Sequence, residues 1–210
     1  MAKRVRQARS EEDKQSRQAA ILSAALEVFV DKGFAAARLE DVAARAGVAK
    51  GTVYLYFASK EALLEMLVQR AVSGPIETLE QQFRASDMSA PDGLRMLVGF
   101  FAQGILASER RRIVTLILTE APRFPQIAAF YHREVVSRGM SLFRAIAQRG
   151  RERGDFVMPE IEAFPQLVMA PALMALIWKL LFDEHERLDA TAMLQAHLDI
   201  LLRAGKGTIP

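Results

Sequence analysis

The sequence predicts an all-helical protein built from a small N-terminal helix-turn-helix unit and a larger C-terminal helical bundle. Apolar residues recur at helical spacing along most of the chain, as Leu22, Leu26 and Phe29 do near its start. Alternating apolar and polar runs, which are typical of half-buried strands, are too short to predict a sheet. Glycines and prolines divide the chain into about nine segments of helical length.

Composition bounds the class of protein. The chain has 210 residues, of which 51% are hydrophobic and 25% charged, as in an ordinary globular protein. It contains no cysteine, which excludes disulfides, thiolate zinc sites and a cysteine nucleophile. Its longest uncharged run, residues 163–178, is shorter than the roughly 20 residues of a membrane helix. No apolar signal-peptide core follows the basic start, so we expect a cytoplasmic protein without a membrane span.

The N-terminal third is predicted to form a basic disordered tail and three helices. These elements lie at residues 1–10, 11–32, 39–46 and 50–57. Gly33 and Gly47 follow the first two helices and can end them in the left-handed conformation. Ser59 can then cap a longer helix that begins at Lys60.

The remainder is predicted to form six helices separated by turns and prolines. They lie at residues 60–74, 91–107, 109–121, 125–153, 160–183 and 189–204. Gly74 and Pro75 are expected to end or kink the first of these, because a proline removes one helix hydrogen bond. We therefore predict two units, at residues 11–65 and 66–210, that share a helix spanning residues 60–85.

Positive charge is concentrated in the N-terminal third. Residues 1–70 hold 12 Lys and Arg against 9 Asp and Glu, whereas residues 71–210 hold 16 of each class. Basic side chains gain free energy by releasing counterions from phosphates, so this excess points to a polyanionic partner. A merely solvated basic tail explains the same charge, and only a motif can decide between the two.

Residues 33–63 have the pattern of a helix-turn-helix. The first short helix carries an apolar stripe formed by Leu39, Val42, Ala43 and Ala46. The second carries Val53 and Phe57, four residues apart. Gly47 turns the chain between them, its small size and that of Ala43 allow close approach, and Val48 fills the corner.

The opposite face of the second short helix suits a major groove. It holds Lys50, Thr52, Leu55 and Tyr56, with Tyr54 at its flank. Hydroxyl groups and backbone amides can donate to phosphates there, and short side chains can reach base edges. Lys60 is spaced to bind a phosphate of the same backbone. The open alternatives are a solvated lysine and two tyrosines that are partly buried with their hydroxyls to water.

Several motifs occur here in register. They are Gly-Phe at 33–34, Val-Ala at 42–43, Ala-Gly-Val at 46–48, Lys-Gly-Thr-Val-Tyr at 50–54, Tyr-Phe at 56–57 and Ser-Lys-Glu-Ala-Leu at 59–63. Together they resemble the DNA-binding domain of the tetracycline-repressor (TetR) family of bacterial transcriptional regulators. The resemblance covers about residues 15–65, and it implies a helical C-terminal domain for effector binding and dimerisation.

The resemblance also implies a set of DNA-contacting residues. They are Arg38, Ala49, Lys50, Gly51, Thr52, Tyr54, Leu55, Tyr56 and Lys60. By the same resemblance, Thr52, Tyr54, Tyr56 and Lys60 contact phosphates. Lys50, Gly51 and Leu55 lie near the bases. Leu55 cannot hydrogen-bond a base, so it can only touch a thymine methyl or pack on the backbone.

Two positions depart from the family pattern. Ala37 replaces the hydroxyl residue that often precedes the first short helix, and Ala49 replaces a serine before Lys-Gly-Thr. Each change removes a possible helix N-cap, which is worth about 1 kcal/mol. Arg38 either compensates by reaching the DNA backbone or is merely exposed.

The two last helices are the most apolar ones, and they are expected to pair with a second copy of the chain as a four-helix interface. The residues expected there are Leu167, Met174, Ile177, Leu181, Met193, Leu194, Leu198 and Leu201. The alternative is that both helices face only their own core.

An effector cavity is expected among the helices of residues 91–178. Its expected lining is Phe100, Phe101, Phe130, Met140, Phe143, Met169 and Leu173. Such a lining suits an apolar or aromatic molecule, although aromatic and methionine stripes are more often plain core.

The other runs of charged residues are expected to lie on the solvent-exposed surface without a binding role. Residues 110–112 are three arginines, and they favour a solvated helix end over a second nucleic-acid surface. Residues 183–186 are acidic with one histidine, and we expect a hydrated loop and no metal site. An enzyme is disfavoured because the chain has no G-x-S-x-G, no phosphate-binding glycine loop and no metal-spaced histidine pair. No cofactor is expected.

The sequence therefore predicts a homodimeric repressor that leaves a palindromic DNA operator when a small molecule binds its C-terminal domain. The alternative is an activator, or a regulator without an effector, of the same family. No motif specifies the operator sequence, the target genes or the effector.

Overall fold

The computed structural model of the protein describes the backbone of residues 2–205 and the side chains of residues 13–205. Within them the fold is all-helical. The α-helices are α1 (Ala2–Ala36), α2 (Leu39–Ala46), α3 (Lys50–Tyr56), α4 (Lys60–Val68), α5 (Gly74–Ala85), α6 (Ala90–Gly99), α7 (Arg110–Glu120), α8 (Pro125–Tyr131), α9 (Ser137–Arg153), α10 (Pro159–Ala163), α11 (Gln166–Leu181) and α12 (Ala190–Ala204). No helix in the described part of the chain is long and apolar enough to cross a membrane.

Three π-helical segments extend or join these helices. They are Gln69–Ser73 between α4 and α5, Phe100–Leu106 after α6, and His132–Val136 between α8 and α9. The chain is continuous through each of them, so the described residues form ten helical rods. This agrees with the all-helical architecture predicted from the sequence.

Helix α1 is longer than the sequence predicts. It begins at Ala2, so the segment expected to be a disordered tail is helical in the structure. Residues 2–32 contain neither glycine nor proline and are rich in good helix formers, so local propensity does not stop the helix. Gly33 has φ 74° and ψ 158°, a conformation that glycine adopts readily, and the chain then makes one more turn before it ends at Ala36.

The helix shared by the two units runs from Lys60 to Ala85 without ending at Gly74. The π-helical segment before Gly74 lets the helix continue past the proline. In it, the Gly74 N–H donates to the carbonyl oxygen of Gln69, five residues earlier. Pro75 then lies in the first turn of α5, where a missing N–H is tolerated.

The predicted helix at residues 160–183 is divided into α10 and α11. Pro165 disfavours helical backbone at Phe164, whose φ and ψ are −129° and 71°. The other predicted bounds downstream of Ser59, apart from that of the shared helix, agree with the structure to within two residues.

One hydrophobic core runs through both units. Phe29 and Phe34 of α1 lie with their ring centroids 5.3 Å apart, and Phe34 meets Phe124, in the loop after α7, at the same distance. Phe34 has no exposed surface. Aromatic packing therefore attaches the helix-turn-helix unit directly to the bundle.

Candidate DNA-binding surface and ligand cavity

Helices α2 and α3 form a helix-turn-helix. Val53 has no exposed surface and Phe57 is 4% exposed, so the predicted inward stripe of α3 is confirmed. Gly47 ends α2 with φ 65°, and its N–H donates to carbonyl oxygens at the end of that helix. The N–H of Val48 donates to the Ala43 carbonyl oxygen at 3.0 Å. This turn places the opposite face of α3 in solvent.

The outward face of α3 is open. Leu55 is 85% exposed and Tyr54 is 46% exposed. The residues of this helix start and face that are exposed or half-buried are Ala49, Lys50, Gly51, Thr52, Tyr54, Leu55 and Tyr56. Each of the seven therefore keeps some exposed surface that a groove of DNA can contact, although Thr52 and Tyr56 are partly covered by the fold.

Arg38, and not Ala37, is the N-cap residue of α2. Ala37 is buried, and the N–H of Arg38 donates to Asp41 Oδ2 at 3.2 Å. Asp41 also accepts a hydrogen bond from Lys32 at 2.8 Å, and this contact lowers the pKa of the aspartate. Ala49 begins α3 without a side-chain cap. Asp41 therefore supplies a capping contact at α2, whereas the start of α3 lacks one.

Ion pairs engage most cations of the helix-turn-helix. Arg45 binds two carboxylates of α1, each at 2.8 Å. Lys50 Nζ lies 2.5 Å from Glu40 Oε1, which raises the pKa of Lys50 and lowers that of Glu40. The guanidinium of Arg38 is exposed and makes no hydrogen bond or ion pair with the described residues. Exposed ion pairs contribute little to stability, so Lys50 can leave Glu40 and bind a phosphate instead. Arg38 has no ion pair with the described residues to break before it binds one.

Lys60 has a structural role that the sequence did not indicate. Its Nζ donates to the carbonyl oxygens of Phe34 and Ala35 at 2.7 and 2.9 Å and lies 4.7 Å from the centre of the Phe34 ring. A cation is favoured at the C-terminal end of a helix by the helix dipole. A phosphate would have to share Lys60 with these carbonyls, so that contact stays a prediction.

The bundle binds the same stretch of backbone. Glu120, the last residue of α7, accepts the N–H of Phe34 through Oε1 at 3.3 Å. A Cβ atom at Gly33 would lie 3.2 Å from this oxygen. Glu120 Oε2 is buried and has no partner among the described residues. Lys60 and Glu120 therefore hold the C=O and the N–H of one residue, at the junction of the two units.

An apolar cavity of about 330 Å³ lies inside the bundle. Five of the seven residues expected to line it do so, namely Phe101, Met140, Phe143, Met169 and Leu173. Phe100 and Phe130 do not. Each is followed by a residue that lines the cavity, and one step along a helix turns a side chain by about 100°. Phe100 packs edge-on against Phe101, and Phe130 lies 5.7 Å from the guanidinium of Arg133.

Tyr131 is a lining residue that the sequence did not single out. It is the one titratable side chain among the described residues of this cavity wall, and the other lining residues are apolar. Burial raises the pKa of its hydroxyl to about 12, so the hydroxyl is neutral and can donate at physiological pH. The hydroxyl makes no hydrogen bond to the described residues. Tyr131 faces the cavity and the neighbouring Phe130 does not, because tertiary packing sets which side of the helix faces inward.

All three π-helical segments border this cavity. Val72 comes from the first, Phe101 and Ile105 from the second, and Val135 and Val136 from the third. Such segments are rare and occur mostly as single turns, frequently at functional sites. Their convergence on one cavity favours a role for it in ligand binding.

An apolar face of α11 is left uncovered. Its exposed residues include Leu167, Leu173, Met174, Ile177, Leu180 and Leu181, each at least 36% exposed. They include the four α11 residues expected at a dimer interface. The expectation for α12 is wrong in three of four positions, because Leu194, Leu198 and Leu201 are buried within their own chain. Met193 is half-buried, and Ile200 is the exposed large apolar residue of α12.

Residues 21–67 match the family model described as bacterial regulatory proteins, tetR family. The match covers the second half of α1, the whole helix-turn-helix and nearly all of α4. The same residues carry the exposed face of α3 and the junction with the bundle.

Curated relatives are transcriptional regulators. The chain is 40% identical over 70 residues to the HTH-type transcriptional activator FasR of Mycolicibacterium smegmatis, across 33% of this chain and 32% of that protein. It is 30% identical over 139 residues to the HTH-type transcriptional regulator UidR of Escherichia coli, across 63% of each. The matched regions thus span about a third to less than two thirds of these relatives. Both relatives are named as transcriptional regulators, which agrees with the expectation from the sequence that the chain is a regulator and not an enzyme.

The fold is shared over nearly the whole chain. The structure of a SmeT–triclosan complex superposes with a TM-score of 0.75 at 23% identity, covering 93% of this chain and 97% of that one. This similarity shows that the bundle, as well as the helix-turn-helix, follows a known architecture.

Proposed function

Because the chain belongs to the tetR family of bacterial regulatory proteins, we propose that it is a homodimeric, sequence-specific DNA-binding regulator of transcription. In this proposal it represses from a palindromic operator and is released when an apolar or aromatic small molecule enters the bundle. The observation that carries the DNA-binding part is the uncovered outer face of α3, presented by a helix-turn-helix of that family.

Helix α3 enters the major groove in this proposal. The hydroxyls of Thr52, Tyr54 and Tyr56 donate to phosphates, and these bonds fix the register of the helix on the DNA. Leu55, which is 85% exposed, touches a thymine methyl group or the backbone. Arg38 supplies an unpaired cation for a phosphate beside the groove.

The apolar face of α11 supports pairing with a second copy. Uncovered leucine, isoleucine and methionine side chains on one helix form a patch of the kind that protein interfaces bury. A two-fold dimer presents two α3 helices to half-sites about 34 Å apart, one turn of DNA, and so selects an inverted repeat.

The cavity supports an apolar effector with one polar group. Its lining is apolar except for the Tyr131 hydroxyl, which remains neutral and can hydrogen-bond a single acceptor or donor. The SmeT structure contains triclosan, which supports an aromatic ligand class for this fold.

Helix α7 connects the two sites. Val114 and Leu118 line the cavity, and Glu120 at the end of the same helix binds the Phe34 N–H. A ligand that displaces α7 therefore changes the position of the helix-turn-helix relative to the bundle. Repression is relieved if the ligand binds better to the arrangement that no longer fits both half-sites.

An activator is the second candidate, because FasR, which is 40% identical over 70 residues, is named as an activator. A regulator without an effector has no observation in its favour, since the cavity is present. A reporter gene placed behind the operator separates repression from activation when this protein is supplied.

DNA selection from random duplexes is expected to enrich an inverted repeat. On that operator, Arg38→Gln should weaken binding and reduce the slope of log affinity against log salt by about 1, because one phosphate contact is lost. Arg144→Gln, an exposed arginine of α9, makes the same charge change in the bundle and should leave the slope unaltered. No enriched sequence, or equal slopes for all three proteins, contradicts the proposed surface.

Gly139→Leu is expected to fill the effector cavity without harming the fold. A Cβ atom at Gly139 meets nothing within 4 Å, and Gly139 lines the cavity. Replacing a helical glycine also removes a cost of about 1 kcal/mol. Binding of triclosan, measured by calorimetry, should be lost in this variant. Gly99→Leu adds the same side chain at an exposed helical glycine and should bind triclosan like the unaltered protein. Equal binding by both variants would place the ligand outside this cavity.

A further inference from the structure

A second cleft, of about 470 Å³, lies between the helix-turn-helix unit and the bundle. Its walls come from α1, α7 and α11. We propose that this cleft is a separate ligand site for a small amphipathic anion, one with an apolar body and a single sulfonate, carboxylate or phosphate group. This occupant follows from the chemistry of the walls.

The body of the ligand is specified by apolar side chains that the protein does not cover. Val30 of α1 is 44% exposed and Leu180 of α11 is 48% exposed, and both border the cleft. Phe29, Leu116 and Leu176 lie at its base and are buried. An apolar molecule in the cleft would cover the two exposed side chains, which favours its binding.

The charge of the ligand follows from the balance of charged groups in the lining, where three cations, Arg111, Arg112 and Lys179, outnumber the two carboxylates of Glu120 and Asp183. Arg111 and Arg112 share Glu109, at 4.0 and 3.3 Å, and Glu109 itself is largely exposed. Lys179 lies 3.8 Å from Asp183, a long contact for an ion pair. Two arginines that share one solvated carboxylate retain donors for an anion, and guanidinium groups bind oxyanions with two parallel hydrogen bonds.

The lining also sets the orientation of the ligand. Arg111 is in the first turn of α7 and Glu120 is its last residue, so the two are about 13 Å apart along the helix. The Glu120 carboxylate repels an anion at the end of the cleft next to Gly33. The anionic group therefore lies at the arginine end, with the apolar body towards Val30.

The cleft adjoins the bundle cavity and the uncovered face of α11 but does not coincide with either. It shares Leu176 with the cavity and Leu180 with the uncovered face, whereas Ile177 and Leu181 of that face lie outside the cleft. The cavity and the cleft also use different residues of α7. The cavity is lined by residues 114 and 118, and the cleft by residues 111, 112, 115, 116, 119 and 120. A ligand here contacts both units at once and holds α1 against α7.

The test is calorimetric titration of the full chain, without DNA, with naphthalene-2-sulfonate as the anionic probe and naphthalene-2-methanol as its neutral counterpart. We expect saturable binding of the sulfonate that weakens with salt. The double variant Arg111→Gln/Arg112→Gln should raise its Kd at least tenfold. The double variant Arg110→Gln/Arg123→Gln makes the same charge change at exposed arginines outside the cleft and should leave Kd unaltered.

Two further variants locate the probe. Val30→Glu places a carboxylate in the cleft and should abolish binding of the sulfonate, whereas Gly139→Leu fills the bundle cavity and should not affect it. The proposal is overturned if the sulfonate fails to bind saturably, if both arginine variants behave alike, or if Gly139→Leu removes binding. None of these results depends on operator binding, so the proposed function is tested separately.

Discussion

Replacing Ile177 by glutamate is expected to convert the proposed dimer into monomers and to abolish tight operator binding. Ile177 lies on the uncovered face of α11, and in a two-fold dimer each copy contributes one such residue. Burying an unpaired charge costs at least about 2 kcal/mol, so two copies raise the dissociation constant of the dimer about a thousandfold. Sedimentation equilibrium measures the mass of the species directly.

Leu55→Glu is the matched control for this prediction. It introduces the same charge at an exposed apolar residue on α3, far along the chain from the dimer face, and should leave the protein dimeric. Far-ultraviolet circular dichroism should show full helical content in both variants. A dimer that persists in Ile177→Glu at the same concentration would show that α11 does not form the interface.

Phe34→Ala is expected to lower the free energy of unfolding by about 3–5 kcal/mol, the usual cost of removing a fully buried phenyl ring. The ring contacts Phe29 in its own helix and Phe124 in the bundle, so the loss affects the junction of the two units. Urea denaturation, followed by circular dichroism at a fixed protein concentration, gives the change.

Leu55→Ala removes a large apolar side chain that is 85% exposed, and it should change the free energy of unfolding by less than about 0.5 kcal/mol. The unaltered protein should unfold in one transition, because its core is continuous between the units. A loss below 1 kcal/mol in Phe34→Ala would mean that the aromatic contact at the junction is not a principal support of the fold.

Most of the fold could be predicted because its signals are local. Gly47 and several prolines mark helix ends, and apolar spacing marks helical faces, so the bounds of α2, α3 and most later helices agree closely with the structure. The start of α1, the passage through Pro75 and the break between α10 and α11 were not predicted. Nothing in residues 2–10 stops a helix, and a π-helical turn depends on packing against neighbours more than on its own sequence.

The candidate sites were predictable in part for the same reason. The exposed face of α3 follows from the register of Val53 and Phe57. Lys60 was expected on DNA and is found on backbone carbonyls, and the sequence did not indicate this because its partners lie 25 and 26 residues earlier in the chain. Helix phase in the bundle decided between Phe130 and Tyr131, and it turned Leu198 inward. Tertiary packing determines which side of each helix faces inward, and this packing cannot be derived from a single sequence.

The three π-helical segments around the bundle cavity make its volume adjustable. Conversion of one such turn to α-helix shifts the following side chains by one residue, about 100° around the axis, without breaking the rod. Val72, Ile105 and Val136 lie on separate rods, so three walls can change independently. We therefore expect the cavity to accept ligands of different sizes, and the amide protons of these segments to exchange with solvent faster than those of the flanking α-helices.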